Sequence, residues 1–217
     1  MVDFAAAREA MVDCQVRPSD VTRYPIILAM LEVPREVYVP DALRPVAYYG
    51  EHVPLPNGRV ILDPRVFSKM LDAVEIGPSD LVLDVGCALG YSAAVIAHMA
   101  EAVVAVEEDA AMAAAAEAAL AAQGVETAVV KAGPLAAGVP AHGPYDVIVV
   151  EGGVERLPEA LADQLKPGGR IVAVFLDGAL GQARLGLKID GAIAWRRAFD
   201  ATAPVLPGFA ATKEFEF

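Results

Sequence analysis

From residue 79 onward, apolar segments with strand character alternate with alanine-rich segments with helix character. The first two strand-like segments, LVLDVG at 81–86 and AVVAVE at 102–107, have no polar face. Strands that are apolar on both faces, each followed by a helix, form parallel sheets that helices cover on both sides. The sequence therefore predicts an α/β fold with a doubly wound, mostly parallel sheet.

The end of the chain adds strands of another kind. Two strand-like stretches, near Gln182–Ile189 and Ala192–Phe199, flank a tight turn at Asp190–Gly191, and the tail KEFEF alternates like a final strand. Consecutive strands joined by a tight turn are antiparallel, so we expect an addition at the edge of the parallel sheet. Between these ends, strands are predicted at 126–130, 145–151 and 170–175, and helices at 92–100, 109–124 and 158–165.

The first 78 residues are rich in proline, which interrupts helices. One short helix is predicted from about Thr22 to Leu31, and another begins at Asp63–Pro64, where Asp63 caps the first turn. The segment between them, 48–62, is expected to be exposed. The change in composition divides the chain into an N-terminal helical segment, 1–78, and a sheet domain, 79–217.

The composition excludes several classes of protein. Of 217 residues, 56% are hydrophobic, which predicts a globular core, and the net charge of −12 disfavours nucleic acid as a partner. The apolar stretch 81–106 is interrupted by charged residues and glycines, so no membrane span is expected, and charges near the N-terminus disfavour a signal peptide.

Cysteine and histidine show no ligand pattern. Cys14 and Cys87 lack CxxC spacing, which favours a reducing cytoplasm over a disulfide framework. The three histidines are scattered, so no metal site is predicted.

The sharpest local signal lies between the first predicted strand and helix. The sequence DVGCALG spans 84–90, and Glu107 ends the next strand, 21 residues after Gly86. A glycine turn lets a ligand approach the backbone, and a carboxylate at this spacing binds both ribose hydroxyls. Ala88 and Tyr91 occupy the places of the second and third glycines of GxGxxG, which favours S-adenosylmethionine over a dinucleotide. Taken singly, each residue is also explained by turn geometry or helix capping.

Several motifs together resemble one family. They are AMLEVPREVYVP at 29–40, Ala47–Tyr48, LDVGCALGYSAAVIA at 83–97, Pro144–Val150 and Leu165–Val172. The chain resembles the protein-L-isoaspartate O-methyltransferase family over nearly its whole length. The VPREVYVP segment is the most particular of these motifs, and the last three recur in many methyltransferases.

This resemblance implies a seven-stranded, Rossmann-like class I methyltransferase sheet with an N-terminal helical extension that covers the substrate, and the KEFEF tail as the reversed last strand. It implies transfer of a methyl group from S-adenosylmethionine to a carboxylate of isoaspartyl residues, a protein repair reaction on a protein or peptide substrate. A carboxylate is already ionised at neutral pH, so alignment matters more than a general base. The implied cofactor-binding residues are Asp84, Gly86, Cys87, Ala88, Gly90 and Glu107.

The chain departs from the family where the substrate binds. In the segment 53–64, Val60 and Leu62 replace a threonine and a serine whose hydroxyls hold the acceptor, and Arg59 replaces a glutamine. Glu151 replaces a small residue at the end of a strand, where a second anion would repel a carboxylate acceptor. Arg59 and Glu151 are therefore the candidate acceptor-site residues, with Arg59 expected to supply the lost carboxylate contact.

A further departure concerns the adenine contact. Pro134 lies in place of an aspartate that binds the adenine amino group, and Val60, Leu62, Pro134 and Glu151 are expected to line one cleft. Two alternatives follow from these changes. One is a non-catalytic protein that keeps the fold to bind a partner or to sense the cofactor, and the other is a methyltransferase for a neutral or cationic acceptor.

Overall fold

The computed structural model describes residues 2–178 and 180–211. Its helices are α1 (Phe4–Met11), α2 (Tyr24–Glu32), α3 (Pro64–Val74), α4 (Tyr91–Ala97), α5 (Ala110–Ala122) and α6 (Glu159–Asp163). Its strands are β1 (Val53–Pro54), β2 (Val60–Ile61), β3 (Leu81–Val85), β4 (Ala102–Glu107), β5 (Ala128–Ala132), β6 (Tyr145–Val154), β7 (Leu165–Asp177), β8 (Leu180–Ile189) and β9 (Ala192–Asp200). Short 3₁₀ turns lie at Arg17–Ser19, Arg35–Tyr38, Asp41–Val46, Pro56–Gly58, Leu135–Ala137 and Pro140–His142, and a π-helical turn at Val12–Val16.

Seven strands form one sheet in the order β5-β4-β3-β6-β7-β8-β9. The first five of these are parallel, and β8 is antiparallel to both of its neighbours. Successive residues of β3, Val82 and Leu83, belong to different core clusters because their side chains point to opposite faces of the sheet. The predicted doubly wound, mostly parallel sheet is confirmed.

The antiparallel addition at the edge of the sheet is also confirmed. β8 and β9 form a hairpin at Asp190 and Gly191, whose φ angles of 49° and 84° suit a tight turn. Among the described residues β8 is the reversed strand, and the assignment of the KEFEF tail as the reversed last strand stays a prediction. Residues 213–217 themselves lie outside the described part of the chain.

The N-terminal segment contains the short helices that its prolines predict. The Asp63 carboxylate accepts a hydrogen bond of 2.8 Å from the Val66 backbone N–H, which begins α3 as expected. Met30 of α2 belongs to the same core cluster as Val82 of β3. The boundary at residue 78 therefore divides the sequence without dividing the core.

The segment 48–62, which its prolines and polar residues predict to be exposed, is exposed only in part. Its strands β1 and β2 pair as a small antiparallel hairpin, apart from the large sheet. Its exposed positions are 49–51, Pro54 and the tip Pro56–Gly58. The hairpin folds back over the sheet, and this burial includes Val53, Leu55, Arg59, Ile61 and Leu62.

Helix α5 is the longest helix, with 13 residues. Asp109 caps it by accepting hydrogen bonds from the backbone N–H groups of Ala111 and Met112, and Gly124 follows its end with a φ of 70°. Across residues 2–178 and 180–211, none of the helices has the length and apolarity that crossing a membrane requires.

Candidate cofactor and acceptor site

The glycine turn joins β3 to α4 at the carboxyl ends of the parallel strands. Gly86, Ala88 and Gly90 all have positive φ angles, of 84°, 51° and 94°. The Gly86 N–H donates to the Val106 carbonyl over 2.9 Å, which holds the turn against the end of β4. The sequence places glycine at two of these three positions, because an L side chain disfavours this region, and Ala88 adopts it without that freedom.

Glu107 lies beside this turn, as the spacing predicts. Its side chain is fully buried and accepts hydrogen bonds from the backbone N–H groups of Ala88 (2.8 Å), Glu108 (2.9 Å) and Asp109 (3.1 Å). The strand and the turn thus fix the carboxylate from three sides. The structure brings together the two elements of the predicted cofactor site.

Arg59 reaches this carboxylate from the hairpin. Its Nη1 lies 2.8 Å from Glu107 Oε1, its Nη2 lies 3.0 Å from Oε2, and Nη2 also donates to the Gly86 carbonyl over 3.0 Å. Arg59 is only 5% exposed. In the described arrangement Arg59 is therefore committed to the cofactor side of the site, and its expected contact with an acceptor stays a prediction.

Asp84 of β3 is fully buried, and the pKa of its carboxyl group is raised. Its Oδ2 accepts a hydrogen bond of 2.6 Å from Ser92 Oγ, and its Oδ1 has no partner among the described residues. Burial raises the pKa of Asp84 to about 7, with a further rise from the negative charge of Glu107. The Ser92 hydrogen bond and the Arg59 charge oppose this rise.

Glu151 is buried on β6 and faces the same space. Burial raises the pKa of Glu151 well above its usual range, and the neighbouring Asp84 adds to the rise. Its Oε1 has no partner among the described residues. The expected repulsion of a carboxylate acceptor needs an ionised Glu151, whereas burial favours the neutral acid, which can donate a hydrogen bond.

A very small cavity lies beside the glycine turn and Glu151, and it is not lined by Arg59, Asp84 or Glu107. A cavity of about 10 Å³ remains at the site, which is about the room that one water molecule requires. Val60, Leu62 and Glu151 line it as expected, but Pro134 does not, because it is exposed at the start of the 3₁₀ turn Leu135–Ala137. The other lining residues are Ile61, Phe67, Gly86, Cys87, Ala88, Tyr91 and Ser92.

Cys87 and Gly90, two of the predicted cofactor-binding residues, are both closely surrounded by other parts of the chain. Cys87 is a buried free thiol, and burial raises its pKa well above the usual range, so the neutral thiol is favoured. A Cβ on Gly90 would lie 3.2 Å from the Ala116 Cβ. Gly90 is therefore required for the close approach of α4 and α5 as well as for the turn.

Leu206 belongs to the site although no sequence pattern indicates it. The segment after β9 pairs with the end of β6, where Gly153 N–H donates to the Pro204 carbonyl over 2.7 Å. This pairing lays Leu206 on the glycines, so that a Cβ on Gly86 would lie 3.4 Å from Leu206 Cδ1. A contact between residues 120 positions apart leaves no local periodicity or motif from which to predict it.

Arg35, in the VPREVYVP segment, connects elements that surround the site. It is fully buried, donates to the carbonyls of Ala47 (2.7 Å) and Leu62 (2.8 Å), and stacks 4.7 Å from the centroid of the Tyr91 ring. It thereby ties the hairpin segment to α4. The signal available in the sequence is the position of this arginine inside the motif VPREVYVP.

The sheet order, with one reversed strand near its edge and a glycine turn beside an acidic strand end, defines the Rossmann-like class I methyltransferase fold. The particular family follows from the sequence. Residues 7–183 match the model of the protein-L-isoaspartate(D-aspartate) O-methyltransferase family, and the chain belongs to this family.

Individual relatives agree with this assignment. The chain is 39% identical over 169 residues to protein-L-isoaspartate O-methyltransferase 1 of Rhodopseudomonas palustris, covering 78% of this chain and 69% of that protein. It is 42% identical over 170 residues to the protein-L-isoaspartate O-methyltransferase of Methylorubrum extorquens, covering 78% and 74%. A Plasmodium falciparum structure in complex with S-adenosyl-L-homocysteine has the same fold, with a TM-score of 0.78 at 18% identity, and the match covers 95% of this chain and 99% of that one.

The family uses S-adenosylmethionine, so the described residues can be tested against this group. The glycine turn and the buried Glu107 are the expected kind of residues for it. In the described arrangement, however, the ribose does not fit, because the Arg59 guanidinium lies on the Glu107 carboxylate. The cavity beside the glycine turn, which neither residue lines, measures only about 10 Å³. Typical small-molecule sites have roughly 300 Å³ or more.

Proposed function

We propose that this chain is an S-adenosylmethionine-dependent methyltransferase that methylates a carboxylate of isoaspartyl residues in proteins or peptides. The observation that carries the proposal is the family match over residues 7–183, which includes the whole glycine turn and Glu107. The reaction belongs to protein repair. We propose further that Asp84, Gly86, Cys87, Ala88, Gly90 and Glu107 form the cofactor side of the site.

The acceptor side is proposed around Glu151 and Leu62. The acceptor carboxylate has lost the two hydroxyls that Val60 and Leu62 replace, which removes roughly 1.5–3 kcal/mol for each hydrogen bond to a charged group. A neutral Glu151 offers one donor in return, since Glu151 lines the cavity and its buried Oε1 has no partner among the described residues. Arg59 offers a second donor to an acceptor only when it is released from Glu107.

Topology, charge and cysteine content support proposals for the segment that covers the substrate, the class of substrate and the location. We propose that residues 1–78 cover the substrate, since the hairpin of this segment lies over the strand ends. The net charge of −12 supports a peptide or protein substrate over nucleic acid, and the two free cysteines support a cytoplasmic location.

The experiment that tests this function measures methyl esters. The full chain is incubated with methyl-labelled S-adenosylmethionine at millimolar concentration and an isoaspartyl peptide, and base-labile label is released as methanol. The control is the same peptide with ordinary aspartate. Label on the isoaspartyl peptide alone supports the function, and equal label on both peptides points to another acceptor. Absence of transfer to either peptide favours the non-catalytic alternative.

A further inference from the structure

We propose that Arg59 closes the cofactor site, so that a nucleoside cofactor binds Glu107 only after the Arg59 guanidinium has left it. The inference rests on the proposed function, because it takes Glu107 as the carboxylate that binds the ribose. It adds a property that the function does not require, namely an internal competitor supplied by the chain itself.

The hydrogen-bonding capacity of Glu107 is already used. Oε1 accepts from Arg59 Nη1 and from the backbone N–H groups of Glu108 and Asp109, while Oε2 accepts from Arg59 Nη2 and the Ala88 N–H. A carboxylate offers about four lone-pair positions, and these five donors fill them. The hydroxyl groups of a ribose therefore find no free acceptor on Glu107.

The space above the Gly86 backbone is also occupied. Glycine at position 86 leaves room above the backbone, but Arg59 Nη2 lies only 3.0 Å from where a Cβ on Gly86 would stand, and Leu206 Cδ1 lies 3.4 Å from it. The room that a ligand would use to approach the turn is thus taken by two side chains of the chain itself. Leu206 is apolar and cannot compete for the carboxylate, so Arg59 is the residue that must move.

The hairpin that carries Arg59 makes no strand pair with the large sheet, although its apolar side chains, among them Leu55 and Leu62, are buried in the core. The hairpin of β1 and β2 has only two residue pairs, Val53 with Ile61 and Pro54 with Val60, and it shares none with the seven-stranded sheet. At its exposed tip, Asn57 Nδ2 makes one hydrogen bond of 3.3 Å to Asp109 Oδ2. Displacing the Arg59 side chain therefore requires breaking its fork to Glu107 and its hydrogen bond to the Gly86 carbonyl, and no pairing of the large sheet is lost.

The test measures binding of S-adenosyl-L-homocysteine by calorimetric titration, without any peptide. The full-length chain is compared with Arg59→Gln, which restores the residue type of the family, and with Arg197→Gln, which removes the same charge at an exposed position. We expect Arg59→Gln to bind about 10- to 100-fold more tightly than the unaltered chain, since the fraction of open sites rises. Arg197→Gln is expected to bind like the unaltered chain.

A second variant protects the test against misfolding. Circular dichroism and a cooperative thermal transition verify each variant, and Arg59→Lys replaces Arg59→Gln if the latter does not fold. Lysine keeps the charge but lacks the two-pronged fork, so it too is expected to bind the ligand more tightly than the unaltered chain.

Three results would overturn the inference. Equal affinity of the unaltered chain and the Arg59 variants shows that Arg59 does not compete, and weaker binding by the variants makes Arg59 a ligand of the cofactor. Absence of binding by any variant at millimolar ligand shows that something other than Arg59 excludes it. The methyl-ester assay at millimolar S-adenosylmethionine judges the proposed function separately, because an enzyme with an open site passes that assay while the inference fails.

Discussion

The floor and the cover of the candidate site are built in different ways. The floor consists of the ends of β3 and β4, which are hydrogen-bonded to neighbours on both sides and place Gly86 and Glu107 as the sequence spacing predicts. The cover is the two-stranded hairpin of β1 and β2, which meets the floor through the side chain of Arg59. The floor therefore determines the fold and the kind of ligand, and the cover determines whether the ligand can enter.

Glu107→Ala breaks the link between floor and cover and is expected to have the largest effect. It leaves the buried Arg59 without its partner, and removing one member of a buried ion pair reduces the free energy of unfolding by about 3–5 kcal/mol. The measurement is urea denaturation of both proteins at neutral pH. Asp13→Ala is the matched control, because it breaks the exposed pair with Arg17, whose loss amounts to about 0–1 kcal/mol. Similar losses in the two variants would show that the floor and the cover are not energetically linked.

The floor could be predicted from the sequence because its signals are local. Apolar runs give the strands, Asp63 and Asp109 give the beginnings of two helices, and the interval from Gly86 to Glu107 follows from one strand–helix–strand unit. These features depend on residues close together in the chain. They remain valid whatever the rest of the molecule does.

The cover could not be predicted because its burial is decided by distant partners. Arg59 and Glu107 are 48 residues apart, and the segment 48–62 has the prolines and polar residues of a surface loop. Sequence reasoning identified Arg59 as a departure from the family but gave it an acceptor as partner. Leu206 could not be predicted as a site residue for the same reason, since no local sequence pattern indicates its contact with Gly86.

Matched leucine deletions compare the two regions directly. Leu83→Ala removes a fully buried side chain from β3, and we expect a loss of about 2–5 kcal/mol in the free energy of unfolding. Leu55→Ala, in the hairpin, is expected to lose less, because the hairpin can relax around the vacated volume. Chemical denaturation of both variants provides the comparison. A larger loss for Leu55 would mean that the cover is as rigid a part of the core as the sheet.

Asp84 gives the floor a pH dependence. Its pKa is raised to about 7 by burial, above the ordinary value of about 3.9, so the folded protein retains a proton that the unfolded chain releases. The resulting stability is present below the unfolded pKa and is lost as the pH rises through about 7. Glu107 and Arg59 face Asp84 and act on it in opposite directions, and Ser92 and Glu151 complete its polar surroundings.

Asp84→Asn removes this titrating group and should flatten the profile. We expect the unaltered chain to lose about 2–3 kcal/mol of this contribution between pH 5 and pH 8, and the variant to lose correspondingly less. Denaturation midpoints across that range provide the measurement. Asp190→Asn is the control, since Asp190 is exposed in a turn with a φ of 49° that asparagine also adopts. An unchanged slope in Asp84→Asn would show that Asp84 is ionised in the folded protein.

Asn57→Ala tests the tip of the cover and is expected to have the smallest effect. Asn57 has a φ of 58°, a conformation that asparagine tolerates and alanine disfavours, and it is exposed. We expect a loss of about 1 kcal/mol in the free energy of unfolding, with Asn57→Gly as the control that removes the side chain without the strain. If the hairpin opens as Arg59 leaves Glu107, both variants, lacking the bond to Asp109, should also bind S-adenosyl-L-homocysteine slightly more tightly. If neither variant binds the ligand more tightly, the hairpin tip does not take part when Arg59 leaves Glu107. Only the arginine side chain then moves.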